Sequence, residues 1–137
     1  EHTSRGLGDV YKRQEYMETL IIMSLVLAIL QLWIIPMTID IKNLNWMVGN
    51  RENPLPEKPL LARAKRAGSN LQESLPAFLA LALLSMILSI DVTNAACWWL
   101  IFRVAHGVLY IAGIAYLRTL AYFGSIGSLI AMACALI

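Results

Sequence analysis

The chain has 137 residues, of which 58% are hydrophobic and only 15% are charged, and its mean hydropathy is +0.63. A soluble domain averages about 45–50% apolar and about 25% charged residues, so this excess is typical of a chain whose solvent is lipid. The net charge of +2 and the absence of a dominant basic face argue against a nucleic-acid-binding protein. Cys97 and Cys134 both lie in apolar runs, which argues against a disulfide framework and against a metal site.

The first sixteen residues differ from the rest of the chain. They are polar, they contain Gly6 and Gly8, and they show no apolar period. They also lack the apolar centre and the small-residue cleavage site of a secretory signal. We therefore interpret residues 1–16 as a non-native or disordered leader, with a genuine flexible tail as the alternative, and place the start of the folded domain, 17–137, at Met17.

Four apolar segments follow, and each is long enough to cross a bilayer of about 30 Å as a helix. Lipid offers no partners for backbone N–H and C=O groups, so segments that cross it must be helical. The sequence therefore predicts an all-α, four-helix transmembrane bundle in one domain. The predicted spans are 17–39, 74–90, 95–115 and 119–137.

The long connection between the first two spans carries most of the basic residues. Its first half is rich in Pro, Asn and Gly, whereas from Leu60 a helical pattern runs on into the second span, with Pro76 expected to bend it. The short second and third connections are predicted at 91–94 and 116–118. Because the second has no Lys or Arg, positive-inside reasoning places the long loop and Arg118 in the cytoplasm. The basic residues of the long loop are Lys42, Arg51, Lys58, Arg63, Lys65 and Arg66.

Two stripes of polar side chains fall where polarity is costly. The residues at 63, 66, 70 and 73 share one helix face, and so do those at 103, 106 and 110 in the third span. Burying a charge at the centre of a membrane helix costs about 2.5–3.5 kcal/mol, so Arg103 should face the interior and meet an acceptor, for which Glu73 is the natural candidate. The alternative is a purely structural role, in which Arg103 and Glu73 form an interhelical ion pair and His106 is an ordinary interior histidine.

The convergence of these groups at one depth favours a pocket for a polar, charged ligand that opens to the cytoplasm. Gly124 and Ser128 form a small-residue pair that lets helices approach closely. Four short helices could hardly enclose such a pocket alone, so we expect a homo-oligomer with sites between subunits.

The run from Arg63 to Pro76 resembles the signature of the MAPEG family, the membrane-associated proteins in eicosanoid and glutathione metabolism. That signature has Arg and Ala, then Asn, Glu and Pro at fixed spacing, which fall here on Arg66, Ala67, Asn70, Glu73 and Pro76. The pattern of an Arg in the third span, followed by His or an aromatic residue and then by Tyr, is also similar. The resemblance covers about 17–137.

The resemblance implies a homotrimer of a multi-pass membrane protein, of the bacterial type and located in the inner membrane. It implies glutathione as co-substrate between neighbouring subunits and no metal, with a lipophilic electrophile or lipid hydroperoxide as the second substrate. Arg118 and Tyr110 are the implied catalytic residues, with His106 as an alternative to Tyr110. The implied glutathione-binding residues are Arg63, Arg66, Asn70, Glu73, Arg103, His106 and Tyr110.

The corresponding mechanism is the positioning and activation of a thiolate, with no protein nucleophile. Arg118 lies one residue out of register with the family's activating Arg, and Ser74 stands where some members have Tyr. These departures leave a second reading open, a non-catalytic membrane protein that binds glutathione or lipid, or a structural trimer. A small multidrug transporter is disfavoured because the only acid of the first span, Glu18, lies at its extreme end.

Overall fold

A computed structural model of the chain describes residues 2–50 and 58–137, and within these the regular structure is helical. The first span comprises α1 (His2–Ile29), a π-helical turn (Leu30–Ile34) and α2 (Ile35–Ile39). A 3-10 turn (Ile41–Asn43) and a short α3 (Leu44–Val48) follow it. The remaining helices are α4 (Pro59–Leu88), α5 (Thr93–Ala112) and α6 (Ala115–Leu136).

The predicted all-α bundle with four membrane-spanning helices is confirmed. Within the described residues, four helical segments are long and apolar enough to cross a membrane, namely Tyr11–Ile39, Pro59–Leu88, Thr93–Ala112 and Ala115–Leu136. The helical pattern from Leu60 does run unbroken into the second span, and Pro76 lies inside that continuous helix. The turn-rich part of the first connection falls mainly on residues 51–57, which lie outside the described residues.

The turn between α5 and α6 lies earlier than the sequence predicted. The third connection was expected at 116–118, but these residues belong to the first turn of α6. The chain turns instead at Gly113, which has a φ of 82°, and the Ile114 N–H donates to the carbonyl of Leu109 over 2.9 Å. Gly is favoured at this left-handed position because it has no Cβ. Arg118 is therefore held on a helix and not in a loop.

The segment predicted as a leader is helical and continuous with the first span. α1 begins at His2, and Tyr11 and Tyr16 are exposed. Met17 is the first residue whose described side chain is buried, with 3% of its surface exposed. Arg13 and Gln14 are already half-buried beside Ser85 of α4, so both the start of the domain at Met17 and the assignment of the preceding residues to a leader stay predictions.

The interior of the bundle is built largely from small side chains. Ala67, Ala82, Ala96 and Ser125 have no exposed surface, whereas large apolar residues such as Ile87 point outward. Small residues at helix interfaces let backbones approach in lipid, where little hydrophobic force drives helices together. The buried small residues are Ser24, Ala28, Ala64, Ala67, Gly68, Ala82, Ser85, Ala96, Gly107, Ala121, Ser125 and Ser128.

Gly124 is part of this close packing, as its spacing with Ser128 predicted. A Cβ built on Gly124 would lie 2.6 Å from the ring of Phe102 on α5. The same construction on Gly127, one turn further along α6, meets nothing within 4 Å in the described part of the chain. Gly124 is thus the glycine that α6 needs for its contact with α5.

The π-helical turn in the first span rests on two glycines from other helices. Pro36 follows this turn closely and has no amide hydrogen, so it interrupts the α-helical ladder there. A Cβ on Gly68 would lie 2.8 Å from the backbone oxygen of Gln31, and one on Gly107 would lie 3.0 Å from the Gln31 Cδ. Gln31, only 4% exposed, is therefore held between α4 and α5.

Candidate functional site

The polar stripe of α4 opens onto a cleft beside α5. Arg66, Asn70 and Glu73, which the sequence placed on one helix face, line this cleft together with Tyr110 from α5. The cleft has a volume of about 320 Å³ and also includes Lys65 and Ser69. The spacing of three and four residues predicted that these side chains share a face, and the fold adds the tyrosine from the facing helix.

A second cleft of about 210 Å³ lies on the other side of the same tyrosine, between α4, α5 and α6. It shares Asn70 and Tyr110 with the first cleft, so the two clefts adjoin at these residues. His106 and Arg118 line the second cleft. We use the term polar groove for the two clefts together. Its lining residues are Lys65, Arg66, Ser69, Asn70, Glu73, His106, Tyr110, Arg118, Thr119 and Tyr122.

Tyr110 lies at the centre of the polar groove, between two guanidinium groups. The Arg118 Cζ is 4.2 Å from the centre of the Tyr110 ring, and the Arg66 Cζ is 6.0 Å from it. Both distances fall in the range in which cations are attracted to an aromatic face. The His106 ring contacts the Tyr110 ring edge-on, with centres 5.5 Å apart. Arginines from α4 and α6 are thus brought to one aromatic ring of α5.

Two polar atoms at the groove are buried without a hydrogen-bond partner in the described part of the chain. They are the Nδ1 atom of His106 and the Oδ1 atom of Asn70. Buried polar atoms in proteins nearly always have a partner, so such atoms beside a cleft mark where a bound molecule can donate or accept. One side of the groove therefore offers an imidazole nitrogen and an amide oxygen to a polar ligand.

Arg103 faces the bundle interior, as predicted, but it does not meet the expected acceptor. Its side chain has no exposed surface, and none of its three guanidinium nitrogens has a hydrogen-bond partner among the described residues. Glu73 is exposed instead and lines the polar groove. The predicted direct pairing of Arg103 with Glu73 is therefore not formed within the described chain, although Glu73 is close enough to act electrostatically on the guanidinium.

Arg63, which the resemblance implied as a glutathione-binding residue, contacts the end of α5. Its Nε donates to the backbone oxygen of Ile111 over 3.1 Å, and its guanidinium lies 3.6 Å from the position of a Cβ on Gly113. A cation is favourable at the C-terminal end of a helix, where carbonyl groups lack partners. Arg63 thus caps α5, and neither it nor Arg103 lines the polar groove in the part of the chain described.

The sequence model of the MAPEG family matches residues 19–137, nearly the whole chain. The chain belongs to the MAPEG family. A comparison with curated proteins found no match. Together with the four apolar helices, the match makes the chain a multi-pass integral membrane protein of the family associated with glutathione and eicosanoid metabolism. The resemblance drawn from the run around Asn70 and Glu73 is confirmed.

Four lining residues of the groove in this MAPEG protein were missed by the sequence reasoning. Lys65 and Ser69 precede Glu73 by eight and four residues, so the helical spacing of α4 could have revealed them. Thr119 and Tyr122 follow Arg118 by one and four residues, and an earlier start of α6 would have placed all three on one continuous helix. The Gly at 113, a common helix end, was the available signal.

The charges around the groove are unequal. Lys65, Arg66 and Arg118 contribute three cations, whereas Glu73 contributes one carboxylate. This arrangement favours a ligand with more negative than positive groups that also carries a cation for Glu73. Across the residues described here, no cluster of three or more His, Cys, Asp or Glu side chains is placed to hold a metal ion.

Proposed function

We propose that this MAPEG protein is a glutathione-dependent transferase or peroxidase that acts on lipophilic electrophiles or lipid hydroperoxides. The observation that carries the proposal is the meeting of two clefts at Asn70 and Tyr110, which together carry three cations and one carboxylate. Glutathione has two carboxylates, one ammonium group and a thiol, which matches that set of charges. Family membership supports the same ligand.

The binding roles follow from the chemistry of each side chain. Arg66 holds a carboxylate through paired N–H donors, and Glu73 accepts the ammonium group. The amide of Asn70, whose Oδ1 has no partner in the described chain, accepts an N–H of the peptide backbone of glutathione. These three groups lie on α4, so one helix face orients the tripeptide.

Arg118 supplies the activating charge in this proposal. A free thiol has a pKa of about 8.5, so only a few per cent of it is ionised at neutral pH. A guanidinium close to the sulfur in a dry site favours the thiolate. The thiol releases its proton to solvent as the thiolate forms. In conjugation the thiolate attacks the electrophilic carbon, the carbon–sulfur bond forms, the bond to the leaving atom breaks, and the leaving atom takes the electron pair and a proton. Tyr110, whose ring centre is 4.2 Å from the Arg118 Cζ, or His106 donates that proton and regains one from solvent.

The proposal includes a homotrimer, in which a neighbouring subunit closes the groove. The open groove of the single chain supports it, because its exposed charges lack contacts that a neighbour or its ligand supplies. The proposed location is the bacterial inner membrane with the long first loop in the cytoplasm. The basic residues of the first loop and of the start of α6 support that orientation.

Isothermal titration with glutathione and with its S-alkyl analogue tests the proposal. We expect heat of binding with both ligands for the unaltered protein in detergent, and a loss of affinity for Glu73→Gln and Arg66→Ala. Lys58→Ala is the matched control, because Lys58 is an exposed cation that does not line the groove. The absence of heat with either ligand would refute glutathione binding, and equal losses for all three variants would refute the assignment of the groove.

A second candidate is a non-catalytic protein that binds glutathione or lipid, or a structural trimer. The observation that favours it concerns Ser74, which follows the motif Glu where some members have Tyr. The Ser74 hydroxyl donates to the backbone oxygen of Leu71 over 3.2 Å, so it is engaged with its own helix. Binding of glutathione without a thiolate absorbance band and without turnover would favour this candidate.

A further inference from the structure

A separate cavity of about 370 Å³ lies at the end of the first span, beneath the short helix α3 and beside the start of α4. Its walls are mainly apolar and include the aromatic rings of Trp33 and Trp46 and the flexible side chains of Met37 and Met47. Its volume is in the range of small-molecule sites, about 300–1,000 Å³. This cavity, which we call the interfacial cavity, has walls of the kind that accommodate an alkyl chain.

The position of the interfacial cavity places it at the edge of the hydrocarbon layer. The first span ends at Ile39, and Trp33 and Met37 on its last turns are exposed, Trp33 by 63%. Tryptophan is enriched at the boundary between hydrocarbon and head groups. A lipid molecule can therefore reach this cavity directly from the bilayer.

Two opposite charges line the same cavity. Asp40 follows the first span, and Lys65 lies on α4. The Oδ1 atom of Asp40 accepts a hydrogen bond from the Asn43 side chain over 2.6 Å, which fixes the orientation of the carboxylate and leaves further lone pairs available. Lys65 also lines the polar groove, so the two sites adjoin at this side chain. A ligand that matches the cavity has an apolar chain, an anion and a cation.

We propose that the interfacial cavity binds a phospholipid with a primary ammonium head group, of the phosphatidylethanolamine type. One acyl chain lies against Trp33 and Met37, the ammonium group donates to Asp40, and the phosphate meets Lys65. A choline head group is disfavoured because its quaternary ammonium has no N–H to donate. A glycerol head group is disfavoured because it brings no cation to Asp40. The proposal stands apart from thiol chemistry and does not depend on it.

Quenching of tryptophan fluorescence by lipids with brominated acyl chains tests the proposal. The full chain with Trp33→Phe and Trp98→Phe keeps Trp46 in the cavity wall, and the fully buried Trp99 provides a constant background. The protein is placed in choline phospholipid vesicles that contain a small fraction of brominated ethanolamine, choline or glycerol phospholipid. We expect the ethanolamine lipid to occupy the site about tenfold more favourably than the other two, as a charge-assisted hydrogen bond predicts.

Two variants test whether the preference for the ethanolamine lipid depends on Asp40. Asp40→Asn keeps an acceptor for Asn43 but removes the negative charge, so we expect the preference for the ethanolamine lipid to disappear. Lys42→Gln is the matched control, because Lys42 is exposed on the neighbouring 3-10 turn and does not line the cavity. Equal quenching by the three lipids in the protein with Trp33→Phe and Trp98→Phe would by itself overturn the proposal. An undiminished preference in Asp40→Asn would overturn the assignment of the ammonium group.

Discussion

The two ends of the bundle interior differ in chemistry. Near the α4–α5 connection, the rings of Phe78 and Trp99 stack with centres 4.0 Å apart, among Ala82 and Ala96. Towards the α5–α6 connection, the interior contains Arg103, and further buried polar groups follow it along α5 and on the first span. The first region is mainly apolar, although it includes the buried Ser85 and the Trp99 Nε1 atom, which has no hydrogen-bond partner among the described residues, whereas the second contains a buried charge. The difference teaches that, among the described residues, the large stacked aromatic contact lies in one region and most of the buried polar atoms without a hydrogen-bond partner lie in the other.

Removal of the stacked tryptophan should have the largest effect on stability. We expect Trp99→Ala to lower the free energy of unfolding by about 3 kcal/mol, because it leaves a cavity in a fully buried site. This is the lower end of the usual range, since lipid also solvates the side chain in the unfolded state. Denaturation in mixed detergent micelles measures it. Trp98→Ala is the control, because Trp98 is 55% exposed, and a loss as large as that of Trp99→Ala would contradict the comparison.

Removal of the Arg118 charge should affect chemistry more than stability. If the guanidinium lowers the pKa of bound glutathione by two units, about 2.7 kcal/mol, roughly three quarters of the thiol is ionised at pH 7. We expect Arg118→Ala to abolish the thiolate absorbance at that pH and to lower the conjugation rate. Arg118→Lys, which retains a cation, should preserve part of both. An unchanged rate and absorbance in Arg118→Ala would refute the role of this residue.

A substitution at Gly107, which contacts Gln31, tests how much close packing in the polar region contributes to stability. We expect Gly107→Ala to destabilise the bundle by about 1–3 kcal/mol, because its methyl group overlaps the Gln31 carboxamide. It should also weaken the binding of glutathione, since His106 precedes this glycine. Combining it with Gln31→Ala should recover most of the loss, which a double-mutant cycle measures. Gly127→Ala serves as the control because that site has open space, and an equal loss there would refute the specific contact.

The smallest effect is expected at the opposite end, in the α4–α5 connection. The backbone N–H of Thr93 donates to Asp91 over 3.0 Å and holds the pKa of that carboxyl below its usual value of about 3.9. Because the folded-state pKa is lowered, the carboxylate stabilises the folded state at pH values above the usual pKa. That stability is lost as the pH falls through the folded-state pKa. Thermal unfolding measured in acid should show a small loss of stability. Asp91→Asn should remove this pH dependence, and an identical acid profile in the variant would contradict it.

The site could be predicted from the sequence only in part. The alignment of Arg66, Asn70 and Glu73 follows from helical spacing within one element. The partner of Arg63 and the enclosure of Arg103 could not be inferred, because they depend on where α5 ends and on how deeply it is buried. The stacking of Arg118 on Tyr110 depends on the turn at Gly113, which shifted the start of α6. Contacts between elements were thus the part that residue spacing could not provide.

The sequence by itself determined that the chain crosses a membrane four times as helices and that it carries the MAPEG signature. Both follow from local properties, since the length of an apolar run and the spacing of polar residues are fixed within one continuous segment of the chain. The tertiary structure alone decided which polar side chains reach a common groove and which are enclosed or used as caps. It also created the interfacial cavity from three segments. Burial and proximity depend on helix packing, and the small residues of the interior set how closely those helices approach.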